Sequence, residues 1–132
     1  MIGINRMIFN LNINQKATYL HAVVTGKNNK ENVTQYLDEI LRECSARNCF
    51  RVLIEERLEG PRLKTIDVYT VASQGAHQAF GKMKAIAYVD VNAEGQLMKF
   101  AETVAVNRSL PARVFTTVAD AEKWLLEKDK NK

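Results

Sequence analysis

Polar and apolar positions alternate from early in the chain. Met7, Phe9, Leu11 and Ile13 interleave with Ile8, Asn10, Asn12 and Asn14, the period-two pattern of a strand with one buried and one polar face. Asn14-Gln15-Lys16 is the predicted turn, and Ala17 to Thr25 the second strand. That strand puts Leu20, Ala22 and Val24 on one face and Tyr19, His21 and Val23 on the other, until Gly26 ends it. Val33, Leu37, Ile40, Leu41 and Cys44 then recur at helical spacing and predict the first helix. Asn28 or Asn29 caps its start, with Glu31 placed for a capping box on Asn28. Arg47-Asn48 suits a left-handed helix end.

Phe50 to Glu55 reads as a strand buried on both faces, and Gly60-Pro61 as a loop. Leu63 to Ser73 fits both periods. Ile66, Val68 and Thr70 alternate, while Ile66, Tyr69, Ala72 and Ala76 recur at helical spacing. Helix is preferred, because Phe50 to Glu55 and Ala85 to Val91 read as parallel neighbours, which need a crossover of about a dozen residues. Gly75 and Gly81 predict the loop between that helix and the strand Ala85 to Val91. Leu97, Phe100, Ala101 and Val104 predict a third helix ending at Asn107, and Arg113 to Thr116 a last short strand after Pro111. Thr117 caps a final helix that buries Ala121, Trp124 and Leu125, with Trp124 as a core anchor and Asp120 at the third helical position. The order β-β-α-β-α-β-α-β-α predicts an α/β fold. Its central sheet is mostly parallel, carries an N-terminal antiparallel hairpin and is covered by helices.

Composition changes this picture little. A length of 132 residues with 46% hydrophobic and 26% charged content fits one globular domain over residues 1–132, large enough to need neither disulfide nor metal. The net charge of +4 is dispersed, with Lys128, Lys130 and Lys132 clustered only in the tail. The basic stripe of a nucleic-acid binder is missing, so no nucleic-acid partner is expected. Cys44 and Cys49 match neither a C-x-x-C redox pair nor a zinc half-site and read as small buried residues. The first residues lack a signal-peptide pattern, and no apolar run approaches the ~20 residues of a membrane span. A cytoplasmic location follows as the expectation.

Chemistry is sparse. The sequence contains no G-x-G-x-x-G, P-loop, H-E-x-x-H or G-x-S-x-G pattern, so no cofactor, metal or catalytic residue is expected. His21 reads as a hydrogen-bonded sheet histidine and His77 as a loop residue away from the strand C-termini, neither with a carboxylate or thiol partner. Glu55, Glu56 and Glu59, set among Arg57, Arg62 and Lys64, read as a solvated ion network. An enzyme built on Glu55 or Glu56 ranks last among the functions considered. In open α/β sheets ligands meet the carboxyl ends of the strands. Here that edge comprises Gly26 to Asn29, Arg57 to Thr65, Asn92 to Gly95 and Thr116-Thr117. Helix N-termini converge there, and Arg62, Lys64, Thr65, Asn92 and Thr117 form the candidate site for an anion or an acidic protein partner.

Two segments carry a family resemblance. One is Leu58-Glu59-Gly60-Pro61-Arg62-Leu63 followed by Thr65-Ile66-Asp67-Val68. The other is Phe100 to Arg108 leading into Arg113-Val114-Phe115 and Ala121-Glu122-Lys123-Trp124-Leu125. Together they resemble the SpoIIAA-like branch of the STAS domains, from about Leu20 to Leu126. The resemblance implies a non-enzymatic interaction or regulatory module that binds a protein partner, a second copy of the chain included. Anti-sigma-factor antagonists of this kind are switched by phosphorylation of a serine in an Asp-Ser pair. The stretch Glu55 to Thr65 has no such pair, and Thr65 is its one hydroxyl, so the phosphoswitch is not carried over. A kinship of the same branch with SEC14-type carriers implies the alternative, a small apolar-ligand or lipid carrier.

Overall fold

The structure, a computed structural model, describes residues 9–61, 63–79, 81–90 and 95–130. Strand β1 (Phe9–Gln15) pairs antiparallel with β2 (Leu20–Lys27), Asn12 opposite Val23. The hairpin closes later than the sequence predicts. Gln15 still pairs with Leu20, and the Lys16 N–H donates to the Tyr19 carbonyl at 2.8 Å, so Ala17 and Thr18 lie in the turn. Met7 and Ile8, read above as strand, lie outside the described residues.

Helix α1 (Lys30–Ala46) starts at Asn29, whose side chain accepts the Asn32 N–H at 2.8 Å. Asn28 takes a different part. Its N–H donates to the Glu59 carbonyl at 2.7 Å and its side-chain amide to the Pro61 carbonyl at 3.2 Å, tying the exit of β2 to the exit of the next strand. Asn48 sits beyond the helix at φ +51, the predicted left-handed end.

Strand β3 (Arg51–Glu59) lies parallel between β2 and β4 (Ala85–Asp90), and β5 (Ala112–Phe115) completes the sheet beside β4. The order β1-β2-β3-β4-β5 is sequential. Helices α1, α2 (Thr65–Ala79) and α3 (Gly95–Asn107) are the three crossovers, and they pack side by side on one face. Helix α4 (Val118–Lys130) packs over β3, β4 and β5 on the other. Strand β3 runs four residues past the predicted end, because its charged tail continues the alternation: Val52, Ile54 and Leu58 face the three-helix layer, and Leu53 faces α4. Helix α2 confirms the preferred reading of the ambiguous segment but starts two residues later and runs six further. Gly75 is thus inside the helix, not in a loop. The buried Ala76 and Ala79 after it outweigh glycine's cost of about 1 kcal/mol in a helix interior.

Each face of the sheet has its own core. The larger joins Leu20, Val24, Val52 and Ile54 to Tyr36 and Ile40 of α1 and to α2. The smaller joins Leu53, Ala87 and Val89 to Ala121 and Leu125 of α4. Trp124, expected as the anchor, is half-buried at the rim of this second core, its ring 5.7 Å from Phe115. Ala121 and Leu125 occupy the centre instead. Among the described residues no helix is long and apolar enough to cross a membrane.

Candidate ligand cavity

A strand sends consecutive residues to opposite faces. Glu55 and Glu56, adjacent in sequence, are therefore separated by the whole sheet and lie in different clusters. Glu55 lies on the α4 side of the sheet, 6% exposed, where its carboxylate meets the His21 ring at 2.9 Å and the Arg57 guanidinium. His21 thus has the carboxylate partner that sequence spacing did not reveal, supplied from the neighbouring strand. His77 is exposed in the last turn of α2, not in a loop.

Glu56 points the other way, under the three helices, and is 7% exposed. Its Oε2 accepts from the hydroxyls of Tyr36 on α1 and Tyr88 on β4, and the two phenol oxygens also contact each other. Tyr36 is fully buried because α1 aims it, with Val33 and Ile40, into the larger core. Burial pushes the pKa of both phenols well above the ordinary tyrosine value, and the charge of Glu56 adds to the effect. Both side chains therefore remain protonated donors at any physiological pH.

Beside this cluster is a cavity of about 150 Å³. Val33, Leu37 and Ile40 of α1, Val68 and Val71 of α2 and Ala105 of α3 wall it, over Ile54 and Ile86 of the sheet. Its polar lining consists of Asn28, Glu56, Tyr88, Asp90 and Glu102. Asn28, Leu63 and Asp90 bring it to the carboxyl edge of the strands, the edge that the sequence singles out. Glu102 also accepts the Val114 N–H of β5 at 2.8 Å, which fixes α3 to the sheet there.

The residues predicted for the site are less concentrated. Lys64 and Thr65 are exposed at the start of α2, where the Lys64 carbonyl accepts the Val68 N–H at 3.0 Å. Thr117 caps α4 as expected, its hydroxyl accepting the Asp120 N–H at 3.2 Å, but α4 belongs to the opposite layer and Thr117 follows a strand two removed from β3. Arg62 and Asn92 lie outside the described residues. Sequence reasoning missed Tyr36, Tyr88 and Asp90. Tyr36 does stand at i+3 from Val33 and i−4 from Ile40, on the apolar stripe, but only the strand register brings Glu56 opposite Asp90 and Ile54 opposite Tyr88.

No protein-family model and no curated protein matches the chain. Among solved structures, a DUF3478-family protein with a SpoIIAA-like fold from Shewanella loihica PV-4 is similar to it at a TM-score of 0.52 and 19% identity, over 93% of this chain and 99% of that one. The fold is SpoIIAA-like. The five-stranded sheet, antiparallel at β1-β2 and parallel elsewhere, with its four helices is consistent with that fold, and the cavity lies under the three helices on one face.

Proposed function

We propose that this SpoIIAA-like chain, read as one domain, is a non-enzymatic binding protein that takes up a small, mostly apolar molecule between the sheet and helices α1–α3. The observation that carries the reading is the cavity of about 150 Å³ with a carboxylate–phenol cluster in its wall. The cavity is half open and its lining is mostly apolar, so a guest can reach its aliphatic walls. A purely structural core would close it with larger side chains in place of Ala72, Gly75, Ala101 and Ala105. Dry aliphatic cavities of about this size accept a benzene-sized molecule. The ligand is therefore about one ring, or a short chain, in its buried part. The free thiols of Cys44 and Cys49 fit a reducing, cytoplasmic setting.

Gly75 offers the test. It lines the cavity, and a Cβ added there meets nothing within 4 Å. Gly75→Leu should stabilise the protein by about 1–3 kcal/mol, from helix propensity and apolar burial. Toluene should raise the thermal midpoint of the wild type and leave that of Gly75→Leu unmoved. A wild type indifferent to toluene would count against the reading.

A protein partner is the second reading, supported by Ile66 and Tyr69, which are 65% and 41% exposed on α2 beside Lys64 and Thr65. A second copy of the chain is one form such a partner could take. Native mass spectrometry of protein purified from its own cell separates the two readings, one by a bound small molecule and the other by a bound polypeptide.

A further inference from the structure

We infer that the outer edge of β1 pairs antiparallel with β1 of a second copy of the chain, about a two-fold axis at Asn12, and joins the two sheets into one. This contact is separate from the cavity and from the exposed surface of α2. The two edges of the sheet differ in kind. Strand β5 is four residues long, follows Pro111 and carries Arg113, and the Glu102 carboxylate takes its Val114 N–H. Short length, proline, charge and a covered N–H all oppose edge-to-edge pairing. Strand β1 has seven residues, with no proline and no charged side chain, and its register to β2 runs without a bulge. Among the described residues β1 pairs with β2 alone, which leaves its other edge open.

The order of residues along β1 fits a copy of itself. The bond from the Lys16 N–H to the Tyr19 carbonyl fixes the alternation, so Asn10, Asn12 and Asn14 are the residues hydrogen-bonded to β2. Phe9, Leu11, Ile13 and Gln15 therefore turn their N–H and C=O groups to the open edge. Asn10-Leu11-Asn12-Ile13-Asn14 reads alike in both directions, apart from the isomers Leu and Ile. An axis at Asn12, the midpoint of the strand, sets Leu11 opposite the partner's Ile13 and Phe9 opposite the partner's Gln15, each pair exchanging two backbone hydrogen bonds. Leu11 and Ile13, half-buried against the larger core, then continue it across the seam. On the other face every exposed asparagine meets an asparagine. The amide carries both donors and an acceptor and is complementary to itself, which gives a reason for three asparagines in a strand, where they are disfavoured. The groove between β1 and α1 is walled by Glu39, Arg42, Glu43 and Arg47. Arg42 pairs with Asp38 and Arg47 with Glu43, so no single-sign field opposes the second copy.

The test is sedimentation equilibrium from about 10 µM to about 1 mM chain, the range suited to a small interface. The wild type should pass from monomer to dimer. Asn12→Lys sets two like charges directly opposite each other, with Cα atoms roughly 4.5 Å apart, and does so only in the dimer. It should weaken association about fivefold or more at low salt, and less as salt is raised. Asn12 is exposed, so the thermal midpoint of the dilute variant should stay that of the wild type. Asn12→Asp should behave in the same way, while an equimolar mixture of the two variants should dimerise at least as tightly as the wild type. A wild type that stays monomeric throughout, a dimer indifferent to Asn12→Lys, or a mixture no tighter than its components would overturn the inference. Each of these results would leave the cavity reading untouched.

Discussion

Tyr36→Ala should destabilise the protein by about 3–5 kcal/mol, as truncation of a large buried aromatic does. The side chain is fully buried in the core shared by α1 and the sheet, and its ring packs edge-on to Phe9 with centroids 6.3 Å apart. Its hydroxyl is one of two phenol donors to Glu56. Tyr36→Phe separates the two contributions. It keeps the ring and removes one of the two donors, which should cost about 1.5–3 kcal/mol, the net contribution of a hydrogen bond to a charged group. Urea denaturation of the two variants measures both values. If Tyr36→Phe proved neutral while Tyr36→Ala remained costly, the cluster would be packing alone, with no energetic role for its hydrogen bonds.

Alkali should unfold the protein steeply. Four groups hold their protons more tightly in the folded chain than their ordinary values of 10.0 for tyrosine and 9.0 for cysteine. Burial raises Tyr36 and Tyr88 well above that value, with Glu56 reinforcing the shift. Burial likewise pushes Cys44 up to about 12. Tyr19 is raised to about 12 by burial and by its 2.5 Å hydrogen bond to Glu122. Above pH 9 to 10 the unfolded chain loses these protons while the native state keeps them, so the native state binds more protons and stability falls as pH rises. The stabilisation is complete below about pH 9 and is lost progressively through pH 12. Each buried group contributes up to about 1.4 kcal/mol per pH unit, so three acting together contribute roughly 4 kcal/mol per unit. Denaturation midpoints measured at pH 8, 10 and 11 should fall along this course, with the tyrosinate absorbance of Tyr19, Tyr36 and Tyr88 appearing as the chain unfolds. A midpoint unchanged at pH 11 would show that the phenols and the thiol titrate freely in the folded protein.

The architecture was largely legible because both periodicities were clean. The stripe from Val33 to Cys44 and the apolar runs at Phe50 and Ala85 located the elements, and the length needed to connect parallel strands settled α2 as a helix. Reading failed where tertiary packing overrides local signals. Gly75 resembles a loop marker until Ala76 and Ala79 are seen in the core, and the tail of β3 resembles a loop because Glu56, Arg57 and Glu59 are charged. The cavity was not legible at all. Empty volume leaves no mark in a pattern of residues, and Tyr36, Glu56 and Tyr88 meet only through long-range packing and the register of neighbouring strands. The place of the strands' carboxyl edge, by contrast, follows from chain direction alone.

A preformed cavity beside Glu56 and Tyr88 should accept a small apolar guest, and a crystal structure of the protein held under xenon would reveal it. Xenon enters dry aliphatic cavities without forming hydrogen bonds, so its position reports the space itself. Xenon is expected between Val33, Val71, Ile54 and Ile86, with the positions of α1 and α2 unchanged. A crystal with no xenon at that position, and with α2 closed onto Ile54 and Ile86, would contradict it.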